Sequence, residues 1–302
     1  MGGAFSRYHP AVNFVWFFFT LLFSACLMQP VCLVLSLTAS GVYLFTLTGR
    51  EGARFCLRIS LPLMAVMAGF GPLFQHAGAT VLGYLPDGNP VTMESILYAL
   101  FCGCMMAGML QWFRCGTCVL TTDKFLYLFG RAVPALSLVL SMALRFFPRF
   151  HQQYRQVNAA QRGLGQEMQG GLRQKIRVGS RTLSIMLTWS LENAVETADS
   201  MKSRGYGLPG RTAYSRYRWE RRDTLALVWL GLLGAGVTAA WARGTLTFSF
   251  FPFFRGAPWG GEALLGSGAL ALLFLFPVLA EIWERAAWRK SQRKNESREG
   301  AA

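Results

Sequence analysis

Pro148-Arg149-Phe150-His151-Gln152-Gln153-Tyr154-Arg155-Gln156-Val157-Asn158-Ala159-Ala160-Gln161-Arg162-Gly163 and, further on, Leu191-Glu192-Asn193-Ala194-Val195-Glu196-Thr197-Ala198-Asp199-Ser200-Met201-Lys202-Ser203-Arg204-Gly205 end on the same dipeptide, Arg-Gly. Both runs are helical by periodicity. In the second, from about Arg181, the residues Leu183, Met186, Leu187, Leu191, Ala194, Val195, Ala198 and Met201 follow the i, i+3, i+4, i+7 rule. Arg181, Ser184, Glu192, Glu196, Asp199 and Lys202 fill the other face. In the first, Phe150, Tyr154, Val157 and Gln161 share a stripe, and Pro148 suits a first turn. A glycine just past a helix takes the left-handed conformation cheaply, and a cation in the last turn suits the negative end of the helix dipole. One Arg-Gly is an ordinary helix ending. Two copies in one polar loop place two arginines at helix tips, where a guanidinium fits an acidic groove on another protein through forked hydrogen bonds.

The chain around this loop is very apolar. Its 302 residues are 53% hydrophobic, 14% aromatic and 15% charged, with a mean hydropathy of +0.32. Soluble domains carry nearer a quarter charged residues. Several runs are long enough to cross a bilayer, at about 12–28, 31–48, 59–75, 94–113, 223–242 and 264–283. The fold class expected is therefore all-α: a polytopic membrane protein with about six spans. Three parts follow: spans one to four in 1–113, a cytoplasmic and interfacial helical region in 114–222, and the last spans with a basic tail in 223–302.

The net charge of +15 excludes little by itself, but its placement does. Segment 114–222 holds 18 basic residues against six acids, and loop 49–58 and the tail from Arg285 are also basic. Loop 76–93 has no Lys or Arg, and 243–262 has only Arg243 and Arg255. The positive-inside rule accounts for this better than nucleic-acid binding, and puts both termini in the cytoplasm. Val133–Phe147 is apolar but short for a span, and is expected to lie at the interface or against the spans. Arg7 precedes a long apolar run without a small-residue cleavage site, so no cleavable signal peptide is expected.

Other motifs carry less. Gly205-Tyr206-Gly207-Leu208-Pro209-Gly210-Arg211-Thr212 nearly spells a phosphate-binding loop, but Arg stands where Lys belongs and a helix precedes it instead of a strand. ATP binding by this chain is not expected. Cys115-Gly116-Thr117-Cys118 lacks a second pair, and no disulfide is expected. His9, His76 and His151 fall on different loops, so neither a metal site nor any cofactor is expected. Thr92 and Glu94 mark a helix start, and Pro86-Asp87-Gly88 a turn. Gly163, Gly165, Gly170 and Gly171 make a flexible reversal between the two helical runs.

Gln161-Arg162-Gly163 and Ser203-Arg204-Gly205 resemble the paired X-Arg-X motifs of the transmembrane T component of energy-coupling factor transporters, including the cobalt-permease (CbiQ-type) subunits. His9-Pro10 resembles the family's start, although the basic residues that usually follow are replaced by Ala11-Val12-Asn13; Leu120-Thr121-Thr122 resembles its pattern ahead of the cytoplasmic part. The resemblance implies two crossed coupling helices, each ending on an arginine motif that docks on one of two ATPase subunits. It implies a small membrane S component that binds the substrate, a vitamin or transition-metal ion, and residence in a bacterial or archaeal cell membrane. The docking residues it implies are Gln161, Arg162, Gly163, Ser203, Arg204 and Gly205, and the chain itself is expected to be non-catalytic. Two alternatives compete. A polytopic enzyme holding lipid headgroups on its basic loop needs a cluster of acids, histidines or metal ligands. A permease binding substrate itself needs polar groups buried mid-span, and these spans carry few.

Overall fold

Prolines open four helices, because the missing N–H falls where a helix has no partner for it. Pro10 starts α1 (Pro10–Cys26), Pro30 starts α2 (Pro30–Thr48), Pro62 sits in the first turn of α4 (Leu61–Phe74), and Pro134 starts α7 (Pro134–Gly163). The computed structural model describes residues 3–76, 78–84, 89–130, 133–165, 171–209, 217–250, 255–256 and 260–299. The turn at Pro86-Asp87-Gly88, Gly170, and Gly210-Arg211-Thr212 lie outside the described residues. The remaining helices are α3 (Arg50–Phe55), α5 (Met93–Val119), α6 (Thr122–Gly130), α8 (Leu172–Ser203), α9 (Arg221–Ala242) and α10 (Gly261–Glu299). One π-helical turn, Cys56–Ser60, joins α3 to α4. Two short antiparallel hairpins lie between helices: β1 (Val81–Tyr84) with β2 (Pro90–Thr92), and β3 (Phe248–Ser249) with β4 (Arg255–Gly256).

Among the described residues, five helices are long and apolar enough to cross a membrane: Pro30–Thr48, Arg50–Phe74, Met93–Val119, Arg221–Ala242 and Gly261–Glu284. The first expected span, α1, is apolar but only 17 residues long. The protein is an all-α polytopic membrane protein. By backbone contacts the chain divides into two compact units, Met1–Phe125 with Tyr217–Ala302, and Leu126–Arg216.

The first unit is built around aromatic side chains. Trp16 packs with ring centroids 4.7 Å from Phe17, 5.2 Å from Phe5, 5.4 Å from Trp112 and 5.9 Å from Tyr43. Its indole N–H reaches Leu273 O at 2.7 Å. The spans also enclose more polar groups than the sequence suggested. Ser24 and Ser36 hydroxyls meet at 2.6 Å, and Trp112 Nε1 donates to Ser36 Oγ at 3.0 Å. Ser40 Oγ donates to Gln111 Oε1 at 2.7 Å, and Gln111 Nε2 donates to Ser60 Oγ at 2.9 Å. These groups satisfy one another, which is what a water-free interior demands. They are a staple between α1, α2, α5 and the π-turn.

Side chains cap the helix starts at both ends of the unit. Thr92 caps α5, accepting from Ser95 N at 3.3 Å, as its position before a helical run predicts. Glu94, placed at the same start, accepts from Thr80 N at 3.3 Å. Glu220 and Asp223 form a capping box on α9, and Asp223 Oδ1 also accepts from His9 N at 3.1 Å. Burial holds the His9 imidazole below its usual pKa against the opposing pull of Asp223, and its Nδ1 accepts from Ala11 N at 3.2 Å to cap α1.

Lys124 is buried at 5% exposure, and desolvation pushes its pKa down to about 8 from 10.5. Between those values the unfolded chain binds more protons than the folded one. Stability relative to Lys124→Met therefore rises as pH goes from about 8 toward 10.5, and is lowest below 8. Denaturant unfolding of both chains across that range checks the sign; a stability difference that falls with pH contradicts it.

Candidate functional site at two Arg-Gly helix ends

The second unit is an antiparallel pair, α7 and α8. Trp189 of α8 stacks on Phe146 at 5.4 Å and meets Phe150 at 6.5 Å, both on α7. Further along, Gln161 Oε1 accepts from Thr182 Oγ1 at 3.0 Å. A later residue of α7 meets an earlier one of α8, so the two run in opposite directions where they touch. The stripe that α8 buries is Val178, Thr182 and Met186, at steps of four.

One sequence expectation changes in this pair. Pro148 does not open a helix. The α7 helix runs from Pro134 through it to Gly163, so the apolar segment expected at Val133–Phe147 and the polar run are one element, with Val133 as its N-cap. Pro148 is exposed, which leaves the backbone carbonyl it cannot serve within reach of solvent. The apolar stripe of α8 is mostly uncovered. Met186 is 2% exposed, but Leu183, Leu187, Leu191 and Val195 are 59%, 56%, 68% and 61% exposed. Periodicity gave the apolar face without giving its cover.

The two Arg-Gly ends are not equivalent. On α8, Gly205 takes φ +78°, Gly205 N donates to Lys202 O at 3.0 Å, and Tyr206 N donates to Met201 O at 3.1 Å. That pair of bonds is a Schellman ending with Gly205 as its left-handed residue and Arg204 as the cap. On α7, Gly163 is still helical, contrary to its expected role as the left-handed residue. Gly165 takes φ +73° and donates to Arg162 O at 2.9 Å. Arg162 therefore lies three residues before the reversal. Gly163→Ala is expected to stabilise by about 0.5–1 kcal/mol, because nothing lies within 4 Å of the added Cβ in a helical position. Gly205→Ala is expected to cost about 1–2 kcal/mol, since an alanine pays for φ > 0 and meets Leu208 Cδ1 at 3.0 Å. Denaturant titration of both variants in detergent reports the opposite signs; equal signs would refute the assignment.

Of the six expected site residues, Arg162, Gly163, Ser203 and Arg204 are exposed and Gly205 is half-buried. Neither arginine makes an ion pair among the described residues, where the ion pairs include Arg7–Glu284, Arg222–Glu220 and Arg243–Glu262. Ser203 Oγ donates back to Ser200 O at 2.9 Å. Gln161 differs from the rest. It is 6% exposed, faces Thr182, and its Nε2 finds no partner among the described residues. Thr182 and Gly165 were not picked out as site residues from sequence. The Gly-x-Gly spacing at 163–165 was the available signal for Gly165, and the i, i+4 relation of Val178, Thr182 and Met186 for the other. Cys115 and Cys118 are free thiols, and no group of three potential metal ligands occurs among the described residues.

Residues 4–214 match the family model described as CbiQ, cobalt transport protein. The chain is 35% identical over 112 residues to the energy-coupling factor transporter transmembrane protein EcfT of Lactobacillus helveticus (strain DPC 4571), covering 36% of this chain and 40% of that protein. It is 36% identical over 106 residues to the protein of the same name from Streptococcus thermophilus, covering 34% and 40%. A longer match, 27% identical over 197 residues, joins it to the Staphylococcus aureus (strain 04-02981) protein of that name, covering 57% of this chain and 74% of the relative. The chain thus spans about 40% of the length of the first two relatives it matches. With the family model covering well over half of its residues, the chain belongs to the CbiQ cobalt transport protein family.

Proposed function

We propose that this chain is the transmembrane scaffold and coupling subunit, the T component, of an energy-coupling factor importer. The observation that carries the reading is the pair of exposed arginines, Arg162 and Arg204, without an ion pair among the described residues, at the ends of two helices held as one antiparallel body. Each arginine docks on one of two ATPase subunits. Gln161 does not touch the ATPase; its bond to Thr182 holds the α7 end that presents Arg162. The exposed leucine and valine stripe of α8 supports a further membrane contact, with a small S component that carries the substrate. The cargo is a vitamin or a transition-metal ion such as cobalt, as the family description suggests. Both termini face the cytoplasm of a bacterial or archaeal cell, consistent with the basic loops. The chain binds no ATP and catalyses nothing itself.

The test is an affinity pull-down of the tagged chain from detergent-solubilised native membranes. Two ATPase subunits, or two copies of one, are expected to co-purify together with a small polytopic protein. A chain that purifies alone overturns the reading.

A further inference from the structure

Lys124 is the third residue of α6, and its ammonium is buried without a carboxylate partner among the described residues. Nζ donates to Ser6 O at 2.5 Å, to Ser6 Oγ at 3.1 Å and to Val119 O at 3.0 Å. Asn13 completes the cage: with its amide oxygen turned toward the lysine, Oδ1 accepts from Nζ at 3.0 Å and Nδ2 donates to Phe5 O at 3.0 Å. Three stretches meet on one cation: the 3-10 turn Ala4–Arg7, the first turn of α1, and the last turn of α5.

The position matters more than the bonds. Helix α5 ends at Val119 and α6 begins at Thr122, so only residues 120 and 121 separate them. The Lys124–Val119 bond closes across that break. The second compact unit starts two residues later, at Leu126. A buried cation held by neutral oxygens is costly, and a methionine of similar length would fill the space with no charge to desolvate, although it leaves those oxygens without their donor. A two-residue joint left free would bend under load, and a lever passes on a push only when its root is held.

We propose that Lys124 is a positioning residue that locks the α5–α6 joint to the N-terminal segment, so that movement of α7 and α8 is passed to the spans and not absorbed at the joint. The use made of the lock rests on the coupling reading; the lock itself does not. The experiment uses the full chain in lipid nanodiscs, in a background with native cysteines replaced and the wild-type melting temperature retained. Spin labels at Phe113→Cys on α5 and Phe129→Cys on α6, both exposed, flank the joint. Pulsed electron resonance is expected to give one narrow distance with Lys124, a distribution roughly twice as wide with Lys124→Met or Asn13→Leu, and a narrow one again with Lys124→Arg. A Lys124→Met distribution as narrow as wild type overturns the proposal, even if the melting temperature falls. If Lys124→Met is not recovered folded, the Asn13→Leu and Lys124→Arg widths decide by the same criterion. No ATPase is present, so this result stands or falls separately from the pull-down.

Discussion

Replacing Arg162 and Arg204 together with alanine is expected to abolish recovery of ATPase subunits with this chain, while either replacement alone leaves a weakened complex. A guanidinium that enters an acidic groove leaves a carboxylate buried and unpaired when it is removed, at about 2–5 kcal/mol per site. At about 1.4 kcal/mol per decade, that is roughly 30-fold to several thousand-fold in affinity for each docked subunit. The two arginines belong to one body, since α7 and α8 are joined by the Gln161–Thr182 bond and the Phe146–Trp189 stack. Where the two ATPases also touch each other, docking one raises the effective concentration of the second, so the double replacement costs more than either single would suggest.

Controls separate this from a general charge effect. Arg149 and Arg155 are also exposed on α7, and their joint replacement by alanine removes the same number of charges. Its effect should be small and should shrink further at high salt. Arg162→Lys with Arg204→Lys keeps the charge but loses the planar fork, so recovery should be partial. Equal losses from the Arg149/Arg155 pair and the Arg162/Arg204 pair would mean that the basic face binds as a whole. Wild-type recovery in the Arg162/Arg204 double variant would end the docking proposal.

What could be seen in the sequence follows from what each signal measures. Apolar length identifies α2, the continuous helix from α3 through α4, α5, α9 and α10 because a bilayer imposes a length. Pro148 misled because a first-turn proline and an exposed mid-helix proline satisfy the same local rule; only the apolar segment before it, continuous with α7, decides between them. Gly163 and Gly165 are two residues apart, and propensity cannot say which becomes left-handed. The α8 stripe at 183, 187, 191 and 195 has a clear period, but a period does not name what covers it. Lys124 and Gln111 were invisible for a different reason. Their partners Ser6, Asn13, Ser40 and Ser60 are distant in sequence and of ordinary type, so nothing local marks them.

Trp16→Phe should destabilise the first unit by about 2–4 kcal/mol, and Pro277→Ala should return a good part of that loss. Pro277 lies inside α10 and has no N–H to give to the carbonyl four residues back, which is that of Leu273. The Trp16 indole N–H takes this place at 2.7 Å. Both Trp16 and Leu273 have 0% exposure, so no water can substitute. Phenylalanine keeps most of the ring packing against Phe5, Phe17, Tyr43 and Trp112 but leaves the Leu273 oxygen without a donor, at about 1–3 kcal/mol. An alanine at 277 brings a backbone N–H to that oxygen from within the helix. The double-mutant cycle should therefore show a coupling of about 1–2 kcal/mol between positions 16 and 277, with Pro277→Ala alone neutral or stabilising. Additive effects would show that the tryptophan contributes only by filling space, and that the helix tolerates its proline in some other way.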